Sequence, residues 1–227
     1  MKGTDVDRAT PADDSRQAQT RGTREKIVRA SLDLFAENGY EGTSIEEIGR
    51  KANITGPAIY RHFASKEDVL VAAYEYAGRG RFAALDASVG LPPDEALEIL
   101  LTSFVQFTFE MPQWTKLWLL ERGGHFPANF KRATVGLQKR FSKRWEDVVA
   151  ALRPDLDAKA AREIVHAVWS IMNGTVYFPS TMSANNRAAL LTEAARAVVL
   201  STKQSGAVVS GKPIQKPAVA RASRGAR

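Results

Sequence analysis

Between Thr43 and Phe63 the chain reads TSIEEIGRKANITGPAIYRHF, and Ser65 and Lys66 follow closely. Three small residues, Thr55, Gly56 and Pro57, come first, and Tyr60, Arg61 and His62 come just after them. Small residues let a helix end approach another surface closely. Phenol, guanidinium and imidazole groups then supply hydrogen bonds to phosphate oxygens or base edges. On this chemistry Thr43, Tyr60 and Lys66 are candidate phosphate contacts. Thr55, Gly56, Pro57 and Arg61 are candidate base readers, and His62 fits either role.

Two short helices joined by a tight turn would position these groups. Thr43 is placed to cap the first helix, with Glu46 three residues on completing a capping box. Ile45, Ile48 and Ala52 recur at helical spacing and give one apolar side. Asn53 tolerates the left-handed backbone that ends a helix. Ile54 is apolar within the turn and plugs the space between the helices. Thr55 is placed to cap the second helix, with Gly56 and Pro57 in its first turn and Ala58 to Phe63 completing it. A helix this short is not stable alone, so neighbours must hold it while its outer side is presented. That is what a helix-turn-helix reader of the major groove requires.

The pattern T-S-I-E-E-I-x-x-x-A-x-I-T-x-x-x-I-Y-R-H-F-x-S-K-E-D-V-L resembles the N-terminal DNA-binding domain of the TetR/AcrR transcriptional regulators, from about Thr23 to Ala72. Two positions depart from the family pattern: Asn53 stands where Gly is usual, and Gly49 where Ala is usual. The resemblance implies a first helix bracing the reader from behind. It also implies a homodimer whose last two long helices pair as a four-helix bundle, binding a palindromic double-stranded DNA operator. The dimerisation candidates are Ile164, Val168, Ile171, Met172, Leu191, Ala195 and Val198. Regulators of this kind are usually repressors and respond to small effectors.

The composition sets outer bounds. The chain has 227 residues, 44% hydrophobic, and no Cys, which excludes disulfides, Cys-ligated metal and Cys nucleophiles. Three His without an H-x-x-x-H pair argue against a metal site, and no cofactor is expected. No stretch reaches the roughly 18 apolar residues of a membrane helix, and no signal peptide is visible, so a cytoplasmic location without membrane partners is expected. The net charge is +7, but six cations and no acid lie in the tail from Lys203 onward. The body is nearly neutral, so the basic balance alone says little about specific DNA binding.

Along the rest of the chain, residues 1–20 lack an apolar period and read as a disordered arm. Arg21 and Arg24 precede the first helix, and two readings stand for them: solvated charges, or contacts to phosphate or the minor groove. Thr23 is a plausible cap, and Asn38-Gly39 a stop. Ser65 opens a further helix reaching about Asp86. Leu91-Pro92-Pro93, Met111-Pro112, Pro154 and Pro179 divide the remainder into helices, the longest from Phe130 to Leu152. The last two helices are expected from Asp157 to Phe178 and from Asn185 to about Ser201.

Aromatic residues concentrate between Phe104 and Trp145. They form either an ordinary core or a cavity for an apolar effector with a few polar anchors. On the second reading the lining comprises Phe104, Phe107, Thr108, Trp114, Trp118, His125, Phe126, Asn129, Phe141, Trp145, Trp169 and Asn173.

The expected protein is all-α with about nine helices. A disordered arm spans 1–20, a helix-turn-helix DNA-binding domain 21–66, a helical ligand-binding and dimerisation domain 67–202, and a disordered basic tail 203–227. No G-x-S-x-G elbow, phosphate loop or convincing carboxylate pair is present, so an enzyme is not expected. The alternatives are a non-specific DNA-binding protein and a helical bundle with an undetected activity on a lipophilic substrate.

Overall fold

Asn38-Gly39 ends the first helix as the residue types require: Gly39 takes a left-handed φ of +74°, open to a residue without a Cβ. The computed structural model describes residues 11–122 and 126–201. Helix α1 spans Pro11–Asn38. Residues 11–20 are therefore helical, correcting the expectation of a disordered arm there, while residues 1–10 lie outside the described part. Gln, Ala and Arg are good helix formers, and they extend α1 backwards beyond its buried stretch. Thr23 sits inside this helix and caps nothing.

Helices α2 (Ile45–Ala52), α3 (Gly56–Ile59) and α4 (Lys66–Ala87) follow. Beyond the Pro92-Pro93 break come α5 (Pro93–Glu110) and α6 (Pro112–Arg122). Then follow α7 (Ala128–Leu152), α8 (Ala158–Asn173), a 3₁₀ turn at Gly174–Val176, and α9 (Ala184–Leu200). The described residues are thus all-helical apart from their connections. Helix α8 stops at Asn173, short of the expected Phe178, because the chain tightens into the 3₁₀ turn at Gly174. No helix among the described residues is long and apolar enough to cross a membrane. The basic tail from Lys203 lies outside the described residues.

Two hydrophobic cores result, and α4 serves both. The first joins Ile27, Phe35, Ile48, Ile59, Phe63 and Leu70 with Phe107, Leu117, Phe126 and Phe130. The second joins Leu85, Leu100, Phe104, Phe141, Trp145, Val168, Trp169, Met172 and Ala195. Helix α1 packs directly on α2 and α2 on α3, while α4, α6 and the start of α7 complete the first core around α1.

Candidate nucleic-acid interface and interior aromatic cluster

The turn between α2 and α3 is built by close packing. Asn53 adopts φ 56°, ψ 47°, the left-handed conformation expected of it. Its neighbour Ile54 donates its N–H to the Gly49 carbonyl at 2.8 Å and packs, partly buried, against the first core. A Cβ on Gly49 would stand 2.6 Å from the Ile54 carbonyl oxygen, so glycine permits this approach of turn to helix.

The cap of α2 is Ser44, not Thr43. The Ser44 Oγ accepts from the Glu47 N–H at 3.2 Å, and the Glu47 carboxylate accepts the Ser44 N–H at 2.8 Å. The Ser44 N–H, and its hydroxyl donating to the same carboxylate at 2.8 Å, hold the Glu47 carboxyl below the usual carboxylate range. Thr43 is 1% exposed, and its hydroxyl donates to the Leu34 and Gly39 carbonyls. This corrects its assignment as a phosphate contact, because its side chain fastens the chain to the end of α1. The box is displaced by one residue from the expected Thr43–Glu46 to Ser44–Glu47, and the Thr43 side chain turns inward.

Thr55 occupies the N-cap position of α3 but makes no side-chain cap bond. The expected cap is therefore corrected: Gly56 and Pro57 occupy the first turn, and the exposed hydroxyl remains open to the outside. Helix α3 is only four residues long, shorter than the expected run to Phe63. After Ile59 the chain tightens, with Arg61 and His62 N–H groups donating to the Ala58 and Ile59 carbonyls. Ile59 itself is fully buried and pins the segment. Tyr60 is 54% exposed, Pro57 and Arg61 are exposed, and Gly56 and His62 are half-buried. Thr55, Pro57, Tyr60 and Arg61 are thus exposed along the segment, while the buried Ile59 and Phe63 anchor it.

Lys66 has a structural duty that the sequence concealed. Its Nζ donates to the Tyr40 carbonyl at 2.8 Å and the Thr43 carbonyl at 3.0 Å, and lies 4.1 Å over the Tyr40 ring. An ammonium has three donors, so one is left for a phosphate. Ser65 caps α4 by accepting from the Asp68 N–H at 3.1 Å. Arg24 lies 4.4 Å over the Phe63 ring, which brings a cation of α1 against the end of the reading segment.

The aromatic residues do not form one lining. Phe107 and Phe126 belong to the first core, whereas Phe104, Phe141, Trp145 and Trp169 belong to the second. Asn129 is exposed on α7 and donates to the Glu67 carboxylate at 2.7 Å, so its place as an interior anchor is corrected. Thr108 is buried, but its hydroxyl donates to the Val105 carbonyl at 2.7 Å. Asn173 is half-buried at the end of α8. His125 and the side chains of Trp114 and Trp118 lie outside the described residues.

One residue of this cluster was not singled out from the sequence. The Arg81 guanidinium lies 4.5 Å over the Phe104 ring and 4.2 Å over the Phe141 ring. Burial pulls it down to about 10, with Tyr74 acting in the opposite direction. The signal was its place on the α4 stripe that buries Tyr74, Ala77 and Leu85. The indole N–H groups of Trp145 and Trp169 are buried nearby with no hydrogen-bond partner. Each such group costs about 1–3 kcal/mol.

The dimerisation candidates divide similarly. Val168, Met172 and Ala195 are fully buried in the second core, so intrachain packing, not a partner, covers them. Ile164, Leu191 and Val198 are half-buried against it, and Ile171 is half-buried. Leu190, Leu200, Tyr177 and Phe178 are exposed apolar residues of the same region.

A short anchored helix after a left-handed turn, carried on a two-core helical body, defines a helix-turn-helix protein. Residues 27–73 match the family described as bacterial regulatory proteins, tetR family. TcmR of Streptomyces glaucescens, an HTH-type transcriptional regulator, is 37% identical over 71 residues, 31% of each chain. A TetR-family regulator from Bordetella parapertussis has a similar fold, with TM-score 0.67 and 20% identity over 77% of this chain and 93% of that one. FadR from Bacillus subtilis, solved in complex with stearoyl-CoA, gives TM-score 0.63 and 16% identity over 79% of this chain and 99% of that one. The chain spans 18–41% of the length of four curated relatives it matches. Residues 27–73 are thus similar to the tetR family of bacterial regulatory proteins, and about three quarters of the chain shares the fold of solved proteins described as TetR-family regulators.

Proposed function

We propose that the chain is a sequence-specific DNA-binding transcriptional repressor, cytoplasmic and homodimeric, released from a palindromic operator by a small apolar effector. The supporting observation is the exposed edge formed by Thr55, Pro57, Tyr60 and Arg61 on a segment whose other side is locked by Ile59 and Phe63. An exposed tyrosine and arginine on a rigid turn suit phosphate and base edges. Two copies, joined through exposed and half-buried residues of α8 and α9, would set two readers about one helical turn apart. An effector in the body shifts DNA affinity only by its preference for one reader spacing over the other. The stearoyl-CoA held by Bacillus subtilis FadR illustrates a ligand with a long apolar chain in a protein of this fold.

Selection of bound duplexes from a random library, paired with sedimentation of the protein–DNA complex, tests the proposal. A palindromic motif bound by two chains is expected. Recovery of unenriched sequence would favour non-specific binding instead.

A further inference from the structure

Helices α4, α5 and α7 are the elements whose described core residues enter both hydrophobic cores. In α4 the change falls between Ala77, in the first core, and Phe82 and Leu85, packed in the second. In α7 it falls between Phe130 and Phe141. Arg81 marks the level of this seam: its guanidinium lies over Phe107 of the first core at 5.2 Å and over Phe141 of the second at 4.2 Å. Each of the two long helices carries a glycine in its stretch of the seam, Gly80 in α4 and Gly136 in α7. Both are exposed, and a Cβ at either would meet no atom within 4 Å. Close packing therefore does not require glycine at these places. Glycine is the weakest helix former after proline, because its backbone loses the most freedom on ordering. Two weak points at one level lower the cost of bending there and leave the helices on either side intact.

Polar ties couple α4 and α7 on each side of the seam. Beside the first core, the Asn129 side chain of α7 donates to the Glu67 carboxylate of α4 at 2.7 Å. Beside the second, Arg144 of α7 donates through Nε at 2.9 Å to the Oγ of Ser88, the C-cap of α4. The two helices are thus fastened to bend as a pair. Helix α5 meets the seam between Phe104 and Phe107, close to its end at Glu110, where Met111-Pro112 already breaks the helix.

We infer that Gly80 and Gly136 form a paired hinge, about which the first core and its reader turn as one body against the second core. The hinge gives the proposed change in reader spacing a location, and rests on that reading for its use. Bending there moves Tyr60 and Arg61 without disturbing their anchors, because Ile59 and Phe63 lie wholly within the first core.

The chain contains no Cys, so spin labels can be placed one by one. Glu37→Cys on α1 and Lys159→Cys on α8 put an exposed label on each side of the seam. Dilution of the doubly labelled full chain into unlabelled protein isolates the distance within one chain, read by electron spin resonance. The double change Gly80→Ala with Gly136→Ala is expected to raise the thermal midpoint by about 2–8 °C and to narrow the distance distribution by about a third. Gly22→Ala is the control. Gly22 has the same open surroundings on α1, which enters only the first core, so this change should stabilise the helix and leave the distribution unaltered. On an operator selected from random duplexes, the double variant should keep its affinity within about threefold, and lose about fivefold more than the unaltered chain when one base pair is inserted between the half-sites. The distance measurement needs neither DNA nor effector, so it stands apart from the proposed function. An unchanged distribution despite the gain in stability would overturn the hinge. A narrowed distribution with unchanged spacing discrimination would uphold the hinge and overturn its part in reader spacing.

Discussion

Arg61→Ala is expected to leave the thermal midpoint unchanged and to collapse discrimination between operator and scrambled duplex. The side chain is exposed, and no contact of it with the two cores holds the fold. A guanidinium that reads a base edge contributes about 1–3 kcal/mol of discrimination, about five- to 150-fold. Affinity for scrambled DNA should change far less. Lys66→Met is the informative contrast, because its Nζ ties the Tyr40 and Thr43 carbonyls to the start of α4. That change should lower the thermal midpoint and weaken all duplexes alike. Titration of both variants against both duplexes at one salt concentration separates the roles. An intact specificity ratio for Arg61→Ala would remove this residue from base reading.

Ile59→Ala should unfold or loosen the reader at a cost of about 2–5 kcal/mol, as for a large buried aliphatic truncated in a core. Ile59 is 0% exposed, and it is the one fully buried side chain of the four-residue α3. A helix of one turn contributes almost no stability of its own, so its position depends on this anchor. DNA binding should fall with it although Ile59 faces away from the proposed interface. Chemical denaturation gives the stability change, and duplex titration under conditions where the variant remains folded gives the functional one. Full stability with Ala at this position would show that the segment is held by other contacts.

These expectations depend on features of unequal legibility. The Asn53 turn, the Ser65 cap and the stop of α7 were readable because each rests on neighbouring residues and local backbone rules. The cap of α2 was readable only to within one residue, since Thr43 and Ser44 each have an acid three positions on. Burial decided between them, and burial is a property of the folded chain. The tie from Lys66 to Tyr40 spans 26 residues and leaves no periodic trace. Aromatic density predicted an interior but not its division, because helix α5 turns Phe104 to one core and Phe107 to the other. Three residues leave the two side chains on nearly the same face, so about 4.5 Å along the helix axis separates the cores they enter, a distinction that composition cannot express. Arg81 was recoverable in principle as a charge on a buried stripe.

Hydrogen exchange of the full chain, with and without a selected operator duplex, tests the proposed orientation of the reader most directly. Slowed exchange is expected across residues 55–66 and at the start of α2, with α8 and α9 unchanged between free and bound dimer. Protection confined to another surface, with the Tyr60 and Arg61 amides exchanging as fast as in the free protein, would contradict it.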